Sequence, residues 1–370
     1  MMKSRPTIER VEISGFKSIR HAEIEFNKLN VLIGANGSGK SNLVSFFEML
    51  RAALDAKLDG YVGRHGGPNA FLHLGSKVTD EISAAITVQT EVGTGTLHQR
   101  LAFRAPDTLA YSPPHTRRPK GADRSNEVVF DDLCSVIKHG RKQGHPGHLI
   151  YESLKDRIGV YHFHDTTLSA AVRMAGYIED NQALRGDAGN LAAMLYRYKK
   201  TEPETYELIV DSVRLIAPFF DDFVLEPQRL NPRNILLNWR ARETDYPFGP
   251  HQLSDGTIRA MALATLLLQP RGDLPDLIVI DEPELGLHPY ALSTLAALLQ
   301  SASANCQILV ATQSVTLLDE FDPTDVIVVD RQSHDSVFSR PDPDKLRGWL
   351  EDYSLGDVWW KNVIGGGPKS

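Results

Sequence analysis

Alternation of apolar and polar positions dominates the start of the sequence. Two short runs place apolar residues at every second position with acidic residues between them, which is typical of strands that bury one face. A third run, residues 29–33, predicts another strand. The spacing then becomes helical, so we expect a helix from Asn42 to about Ala53. The apolar positions behind these predictions are Val11, Ile13, Ile24 and Phe26 in the strands and Leu43, Phe46, Phe47 and Leu50 in the helix.

The rest of the chain separates into a hairpin, a helical middle and an alternating final third. Residues 82–88 and 97–103 alternate like strands, and the glycines within 93–95 predict the turn between them. In the final third, strands and helices alternate as in βαβ units with a parallel sheet. Beyond the hairpin we expect helices at 168–175, 191–198, 204–216, 258–268 and 290–300, and strands at 234–239, 277–280, 307–311 and 326–329.

These elements predict an α/β protein with a mostly parallel sheet flanked by helices, an N-terminal antiparallel β subdomain and an inserted helical lobe. We expect three parts: residues 1–105 with the antiparallel strands, an inserted and partly irregular lobe at 106–250, and a second α/β part at 251–370. The sequence has no internal repeat and no sustained heptad pattern, which excludes solenoids and long coiled coils.

The composition is that of an ordinary globular protein. Apolar residues make up 42% and charged residues 24% of the 370 positions, which excludes a disordered chain. No apolar run approaches the roughly 20 residues of a membrane-spanning helix. The start of the chain has no signal-peptide pattern, and the two cysteines are far apart in sequence. We therefore expect a cytoplasmic protein that has no membrane partner.

The net charge of −7 confines any nucleic-acid binding to a local basic patch. Residues 106–157 contain the most basic stretch of the chain. This stretch is interpreted either as a solvated loop or as a surface that contacts a phosphate backbone. The candidate contact residues are Arg117, Arg118, Lys120, Arg141 and Lys142.

A glycine-rich loop stands between the third strand and the first helix. Residues 34–41 fit the G-x-x-x-x-G-K-[ST] pattern of a phosphate-binding P-loop, in the strand-loop-helix context that the pattern requires. We expect the backbone N–H groups of residues 36–40 to surround a phosphate, Lys40 to contact the β- and γ-phosphate oxygens, and the Ser41 hydroxyl to bind Mg²⁺. The nucleotide-binding residues of the loop are Gly34, Asn36, Gly37, Ser38, Gly39, Lys40 and Ser41.

Two further motifs follow downstream. The strand at 277–280 ends in two acids that fit a Walker B motif, in which Asp281 holds Mg²⁺ through water and Glu282 acts as general base. Residues 253–257 precede the helix at 258–268. There Ser254 fits the N-cap position, and the helix N-terminus with the exposed backbone of Gly256 predicts an anion site.

In this order and spacing, the sequence resembles the ABC-type ATPases. In particular it resembles the RecF-like branch, related to structural-maintenance-of-chromosomes (SMC) proteins and to overcoming-lysogenization-defect (OLD) ATPases. The resemblance spans nearly the whole chain and rests on residues 15–18, 34–43, 161–166, 187–192, 253–257 and 282–289.

The resemblance implies a P-loop ATPase of the ABC type that binds ATP with Mg²⁺ and dimerises with a second copy around ATP. Ser254 and Gly256 would then bind the γ-phosphate of ATP held by the other subunit. The resemblance also implies that Lys17 lies near the phosphates and that Asn42 continues the P-loop motif.

Two departures from that family change the expected chemistry. ABC-type enzymes usually have a histidine that contacts the γ-phosphate after the strand at 307–311, whereas Gln313 stands here. Gln313 can donate a hydrogen bond but carries no positive charge, so slow hydrolysis is expected. The Q-loop glutamine stays open between Gln89 and Gln182. Because few residues of the sequence follow Gln313, we do not expect the TOPRIM domain that OLD nucleases carry.

Two functions stay open on these grounds. The first is an ATP-hydrolysing enzyme that acts on DNA in repair or anti-phage defence, with Glu282, Lys40 and Gln313 as catalytic residues. The alternative is a slow-turnover, ATP-gated scaffold that regulates a partner nuclease or toxin. A transporter motor fits less well, because the stretch between Lys40 and Ser254 is long.

Two features remain, a pair of histidines and a run of glycines near the end of the sequence. His162 and His164 are interpreted as hydrogen-bonding residues more readily than as metal ligands. Residues 365–367 are expected to begin a loose tail.

Overall fold

Two six-stranded sheets organise the part of the chain that the computed structural model describes, namely residues 5–91, 93–105, 107–111, 128–130, 154–155 and 157–367. Three-residue helical turns and short strands connect the longer elements. In chain order the strands are β1 Thr7–Phe16, β2 Ile19–Glu25, β3 Leu29–Ile33, β4 Glu81–Thr90, β5 Gly93–Arg104, β6 Thr108–Tyr111, β7 Val128–Phe130, β8 Ile158–Tyr161, β9 Gly176–Tyr177, β10 Phe220–Val224, β11 Pro227–Gln228, β12 Asn231–Ile235, β13 Asn238–Ala241, β14 Pro247–Phe248, β15 Leu277–Asp281, β16 Gln307–Thr312, β17 Val326–Gln332 and β18 Asp335–Ser339.

The α-helices are distributed along the described chain and include the middle part that the sequence predicts to be helical. Of the predicted helices, the one at 168–175 is wrong, because this segment contains only the short helical turn Ala171–Arg173. The α-helices of the described residues are α1 Lys40–Leu54, α2 Leu58–Arg64, α3 Leu191–Thr201, α4 Pro203–Ile216, α5 Asp255–Leu267, α6 Pro289–Ser303, α7 Val315–Leu318, α8 Pro343–Leu350 and α9 Leu355–Trp360.

One sheet brings the predicted motifs to a common edge. Its order is β18-β17-β3-β16-β15-β8, and all neighbours except β17 and β18 run parallel. Because parallel strands end at the same edge, the loops after β3, β15 and β16 become neighbours. These are the segments that contain Lys40, Glu282 and Gln313.

The second sheet has the order β2-β1-β4-β5-β6, with β7 beside β5, and its neighbours are antiparallel except for the β5–β7 pair. This sheet confirms the predicted N-terminal antiparallel region. The hairpin turn is not where the glycines suggested, because Gly93 pairs with Thr90 and Gly95 with Val88 inside the ladder. The predicted strand at 234–239 is likewise two strands, β12 and β13.

Helix α1 packs between the two sheets. Its residues Leu43, Phe46, Phe47 and Leu50 are fully buried and share one core with both sheets. Burying each of these side chains contributes roughly 1.5–3 kcal/mol. Strand β3 is also buried on both faces, because Val31 and Ile33 enter one core and Leu32 the other. The loop between β3 and α1 is therefore held at both of its ends by packed elements.

Three other expectations concern the inserted lobe, the basic residues and the end of the chain. Strand β8 lies inside the segment 106–250 expected to form an inserted lobe, yet it pairs with β15 at the edge of the parallel sheet. The five basic residues proposed to contact DNA lie outside the described residues. The glycines at 365–367 do not begin a loose tail, since Gly366 and Gly367 are buried.

Candidate functional site

The loop between β3 and α1 has the geometry of a phosphate cradle. No side chain of the described residues caps the N-terminus of α1, where the Asn42 N–H donates to the Gly39 carbonyl at 3.0 Å. Gly39 has φ +110, and a Cβ there would lie 2.0 Å from the Ser336 Oγ. A glycine is therefore required at this position for both backbone conformation and space.

Lys40 lies under the loop and is 5% exposed. Its ammonium donates hydrogen bonds to the carbonyl oxygens of Gly34 at 2.6 Å and Ala35 at 3.3 Å, which leaves one of its three N–H groups. Burial lowers the pKa of Lys40, and the nearby carboxylates of Glu282 and Asp281 oppose that shift. The structure thus brings the P-loop lysine close to both acids of the Walker B motif.

The two acids at the end of β15 differ in their surroundings. Asp281 is 7% exposed, and its Oδ1 is buried without a hydrogen-bond partner among the described residues. Glu282 has φ +45, a left-handed backbone that is uncommon for a residue with a Cβ, and its N–H donates to the Ala311 carbonyl at 2.7 Å. Such strained residues concentrate at functional sites.

Gln313 follows β16 and contacts Glu282. Its Nε2 donates to the Glu282 Oε1 at 3.3 Å, so the amide lies on the carboxylate expected to act as base. The next acid along, Glu284, accepts hydrogen bonds from the Thr312 hydroxyl and the Gln313 backbone N–H. The segments after β15 and β16 therefore bring Glu282, Glu284 and Gln313 together at one edge of the sheet.

The donor set fits a magnesium ion. Ser41 is exposed at the start of α1, and the Asp281 Oδ1 is a buried oxygen that lacks a partner in the described part of the chain. Mg²⁺ prefers such oxygen ligands and takes the rest of its shell from phosphates and water. Among the described residues there is no cluster of three or more His, Cys, Asp or Glu that could hold a metal alone.

The segment 15–18 supports the P-loop from outside. The Asn42 Nδ2 donates to the Ser18 Oγ at 2.5 Å, and the Ser336 hydroxyl donates to the Ser38 carbonyl at 2.6 Å. Because that bond uses the only hydrogen of Ser336, Ser18 must be the donor in the 2.6 Å bond between the two hydroxyls. A directed chain of hydrogen bonds thus joins the helix α1 to the floor of the loop.

Lys17 lies beside helix α1. Its Nζ donates to the Ser45 Oγ at 2.6 Å and lies over the rings of Phe16 and Phe71. Ser45 is one helical turn beyond Ser41 on α1, so Lys17 lies beside the helix rather than on the loop itself. Burial lowers the pKa of Lys17.

The signature segment 253–257 forms the start of α5. Ser254 is its N-cap, with the Oγ accepting from the Thr257 N–H at 3.1 Å, as the sequence predicts. The prediction that Gly256 exposes its backbone is wrong, because Gly256 is buried against the segment after the Walker B motif, and a Cβ there would lie 1.9 Å from the Gly286 carbonyl oxygen. Among the described residues, no hydrogen bond joins Ser254 or Gly256 to residues 34–42.

Two arginines that the sequence did not single out hold this segment. Arg259 donates to the carbonyl oxygens of Phe163 and Leu285, each at 2.7 Å. Arg173 is 3% exposed and donates to the Leu253 carbonyl and to the Asp255 carboxylate. Nothing in the local sequence distinguishes these arginines from surface residues, because their acceptors come from distant parts of the chain.

The two histidines of the loop after β8 are hydrogen-bonded, as expected. The His162 Nε2 pairs with the Glu48 Oε1 at 2.9 Å, and the His164 Nε2 donates to the Asp281 carbonyl at 2.9 Å. The hydrogen bond to Glu48 raises the pKa of His162. Burial alone would raise the pKa of Glu48, but the bond from His162 brings it below its ordinary value. The pair joins the sheet edge to α1.

The C-terminal segment reaches the P-loop, which the sequence did not indicate. The Ala35 N–H donates to the Gly366 carbonyl at 2.9 Å. A cavity of about 620 Å³ lies between the tip of the loop, Gln313 and the two tryptophans Trp359 and Trp360. Trp359 is 3% exposed, whereas Trp360 is 63% exposed on the cavity rim.

Comparison with known proteins agrees with this geometry. Residues 29–319 match the protein family described as "AAA domain, putative AbiEii toxin, Type IV TA system". No curated protein matches the sequence. Among the described residues, no helix is long and apolar enough to cross a membrane.

Solved SMC head domains share the fold. A head bound to the C-winged helix domain of ScpA is 16% identical with a TM-score of 0.62, covering 92% of this chain and 99% of that one. A head with an extended coiled coil, bound to the C-terminal domain of ScpA and derived from Pyrococcus furiosus, is 16% identical with a TM-score of 0.60, covering 94% and 99%. A head with a coiled coil and joint from Pyrococcus yayanosii is 15% identical with a TM-score of 0.54, covering 94% and 99%. The predicted P-loop fold of the ABC type, related to SMC proteins, is confirmed.

Proposed function

The chain belongs to this AAA-domain family of P-loop ATPases, and from that premise we propose that it binds ATP with Mg²⁺ and hydrolyses it at sites shared by two copies. The observation that carries the proposal is the meeting of Lys40, Asp281, Glu282 and Gln313 at one sheet edge. These groups come from three loops far apart in sequence. Their types match the tasks of charge neutralisation, metal binding and proton removal.

Each residue has a defined task in this proposal. The uncapped N-terminus of α1 and the Lys40 ammonium bind the phosphates. Ser41 and Asp281 would hold Mg²⁺, which supplies positive charge to the phosphate oxygens. Glu282 takes a proton from the water that attacks the γ-phosphorus, and the bond to the bridging oxygen breaks with its electron pair leaving on ADP. Gln313 donates a hydrogen bond beside that carboxylate.

The shared site rests on the signature segment. Ser254 and Gly256 make no hydrogen bond to the P-loop of their own chain among the described residues, so a phosphate contact from them needs another copy. Ser254 is exposed at the helix start, and Arg173 and Arg259 hold the segment in place. This arrangement supports a dimer in which each copy supplies one half of each site.

Glu282→Gln tests the proposed reaction. The substitution removes the base but leaves Lys40, Ser41 and Asp281, so ATP and the dimer should accumulate while turnover stops. Light scattering coupled to size exclusion would measure the dimer with ATP, and phosphate release would measure turnover. Glu351→Gln, on the exposed C-terminal side, is the matched control and should behave as the wild type. Loss of ATP binding in Glu282→Gln contradicts the assigned role.

The uncharged amide of Gln313 favours a second candidate, the slow-turnover ATP-gated scaffold. Gln313 can donate a hydrogen bond beside the Glu282 carboxylate but brings no positive charge to the γ-phosphate, so turnover should be slow. The similar SMC heads bound to domains of ScpA support the idea that this fold presents a surface to a partner protein. A nuclease or toxin is the partner class proposed for that role. A turnover well below one per minute, with stable ATP-bound dimer, would favour the scaffold over the enzyme.

DNA is the proposed partner of the hydrolysing enzyme, in repair or anti-phage defence. The support is the basic stretch of the sequence, since the overall charge is negative. Phosphate contacts predict a log–log salt slope of about −0.9 for each contact on duplex DNA. Charge reversal at the five basic residues should flatten that slope. If the ATP-bound protein binds neither single- nor double-stranded DNA at low salt, the scaffold becomes the better proposal.

A further inference from the structure

Glu284 is the enclosed carboxylate of the site that the proposed reaction does not use. It lies two residues after Glu282, and its Oε1 accepts from the Thr312 hydroxyl at 2.6 Å and from the Gln313 N–H at 3.1 Å. Its Oε2 is buried and has no hydrogen-bond partner among the described residues. Leaving a buried carboxylate oxygen without a partner costs free energy, so the contacts at Oε1 have a use beyond filling the core.

The direction of the hydrogen bonds is settled by the Thr312 hydroxyl. Its Oγ1 accepts from the Ser314 N–H at 3.0 Å, and its only hydrogen therefore points to Glu284. Two donors thus converge on one oxygen of Glu284. Burial raises the pKa of Glu284, while the bonds from Thr312 and Gln313 oppose that shift.

These bonds fix the backbone from which Gln313 projects. Thr312 ends β16 and Ser314 is the N-cap of α7, so Gln313 is the residue between the strand and that cap. With both bound to Glu284, the Gln313 side chain starts from a fixed point, and its Nε2 lies 3.3 Å from the Glu282 Oε1. Glu284 thus holds Gln313, and Gln313 in turn contacts Glu282, which lies two residues before Glu284.

We propose that Glu284 is a positioning residue that holds Gln313 over the Glu282 carboxylate and so sets the rate of ATP hydrolysis. The inference rests on the proposed hydrolytic function and goes beyond it, because Glu284 touches neither phosphate nor water in the reaction. Its acceptor oxygen, rather than its negative charge, is the property that matters for Gln313. A misplacement of a catalytic group by about 1 Å can cost roughly 100-fold in rate.

Two substitutions at Glu284 separate these properties. Glu284→Gln keeps an acceptor oxygen for both donors and should retain kcat within about 3-fold, since it removes only the charge. Glu284→Ala removes the acceptor and should lower kcat by roughly 10- to 100-fold with little change in KM for ATP. Thermal unfolding of both variants shows whether they fold. A Glu284→Ala variant with wild-type kcat overturns the proposal, as does a Glu284→Gln variant as slow as Glu284→Ala.

A double-mutant cycle tests that Glu284 acts through Gln313. Gln313→Ala should be as slow as Glu284→Ala, and the double variant should be no slower than Gln313→Ala alone, because the second change removes nothing further. Additive losses would assign Glu284 a role unrelated to Gln313 and contradict the proposal.

A measurement without turnover distinguishes this inference from the proposed function. Hydrogen exchange at the Gln313 and Ser314 amides should accelerate in Glu284→Ala and stay slow in Glu284→Gln. The ratio of ATP affinity to ADP affinity should fall in Glu284→Ala and stay unchanged in Glu284→Gln. If the wild type releases no phosphate, the proposed hydrolysis fails. The positioning role is then decided by exchange and nucleotide preference, and unchanged values in Glu284→Ala overturn it.

Discussion

The P-loop and the signature segment are both glycine-containing helix starts, but the chain completes them in different ways. Helix α1 begins without a side-chain cap, and a buried lysine and three carboxylates surround its N-terminus. Helix α5 begins with Ser254 as its cap, and its Gly256 packs on the Gly286 carbonyl. The first helix start has no side-chain cap, so a phosphate can act as acceptor there, whereas in the second the Ser254 hydroxyl accepts from the Thr257 N–H.

Under the proposed function, this difference would give each chain one part of a shared site. A phosphate gains most where N–H groups and an ammonium have no better acceptor, which is the situation of the P-loop. The signature segment is instead the start of α5, where Ser254 is exposed and Gly256 is buried, Arg173 bonds to Asp255, and Arg259 of the same helix bonds to the Phe163 carbonyl. It can add a hydroxyl and a helix N-terminus to a phosphate that another copy has already bound. Substitutions in the two regions should therefore have effects of different kinds.

The largest effect is expected at Lys40. Lys40→Ala removes the ammonium that lies among Gly34, Glu282 and Asp281, so turnover should fall by roughly 100- to 1,000-fold. ATP affinity, measured by calorimetry, should fall by roughly 10- to 100-fold, since a charge-assisted hydrogen bond is lost. Lys57→Ala is the control, because Lys57 is exposed just beyond α1. Undiminished ATP affinity in Lys40→Ala would disprove the P-loop assignment.

Gly256 provides the next largest effect, on stability. In Gly256→Ala the new Cβ would meet the Gly286 carbonyl at 1.9 Å, so the signature segment and the loop after β15 must separate. We expect a loss of about 1–3 kcal/mol in the free energy of unfolding, which urea titration measures. Gly348→Ala is a matched control, because Gly348 also lies in a helix but its Cβ would meet nothing within 4 Å. That control should be neutral or stabilising by up to about 1 kcal/mol.

Ser254→Ala is expected to have a smaller effect, partly on stability and partly on turnover. Loss of the cap on α5 should cost about 1 kcal/mol of stability. ATP affinity of the monomer should stay unchanged, because no described contact joins Ser254 to the P-loop of its own chain, while turnover of the dimer should fall. Ser354→Ala removes a similar cap from α9 and controls for stability alone. A drop in monomer affinity for ATP would place Ser254 in its own chain's site.

The smallest effect is expected from the pair of His162 and Glu48. The bond to Glu48 raises the pKa of His162 above 6.5, while the bond from His162 outweighs burial and keeps the pKa of Glu48 below 4.5. The stability contributed by His162 is therefore complete below pH 6.5 and disappears as pH rises through its raised pKa. The contribution of Glu48 is complete above pH 4.5 and disappears as pH falls through its lowered pKa.

The measurement is the difference in unfolding free energy between wild type and His162→Gln as a function of pH. It should be greatest between pH 4.5 and 6.5, at about 1 kcal/mol or less because the pair is partly exposed. His334→Gln, an exposed histidine between β17 and β18, should show no such dependence. A difference that grows above pH 7 would contradict the ion pair.

Local pattern was enough to predict strands β3, β15, β16 and β17, and with them the position of the glycine-rich loop and of the two acids at the end of β15, but not the break of 234–239 into two strands. Each depends on residues adjacent in sequence, such as the apolar run before Asp281 or the glycines around Lys40. The hairpin turn was misplaced because Gly93 and Gly95 fit inside a strand when their partners are Thr90 and Val88. Residues 168–175 do not form the predicted helix. They contain a short helical turn from which Arg173 donates hydrogen bonds to the carbonyl oxygens of Thr166 and Leu253.

The supporting contacts could not be predicted from local pattern. Ser18 and Ser336 are far apart in sequence and meet only because the two sheets close on the P-loop. The same holds for Gly366, whose carbonyl accepts from Ala35 although the sequence around it resembles a flexible end. Such contacts depend on tertiary position alone, and the residue types involved are common on protein surfaces.

The most direct test of the shared site is to mix two inactive variants. Lys40→Ala loses its own phosphate cradle, and Ser254→Arg blocks the signature segment. In a mixed dimer one site combines both defects and the other is intact. We expect an equal mixture to recover about a quarter of wild-type turnover, because half of the dimers are mixed and each has one working site of two. Turnover no higher than that of either variant alone would contradict a site shared between two copies.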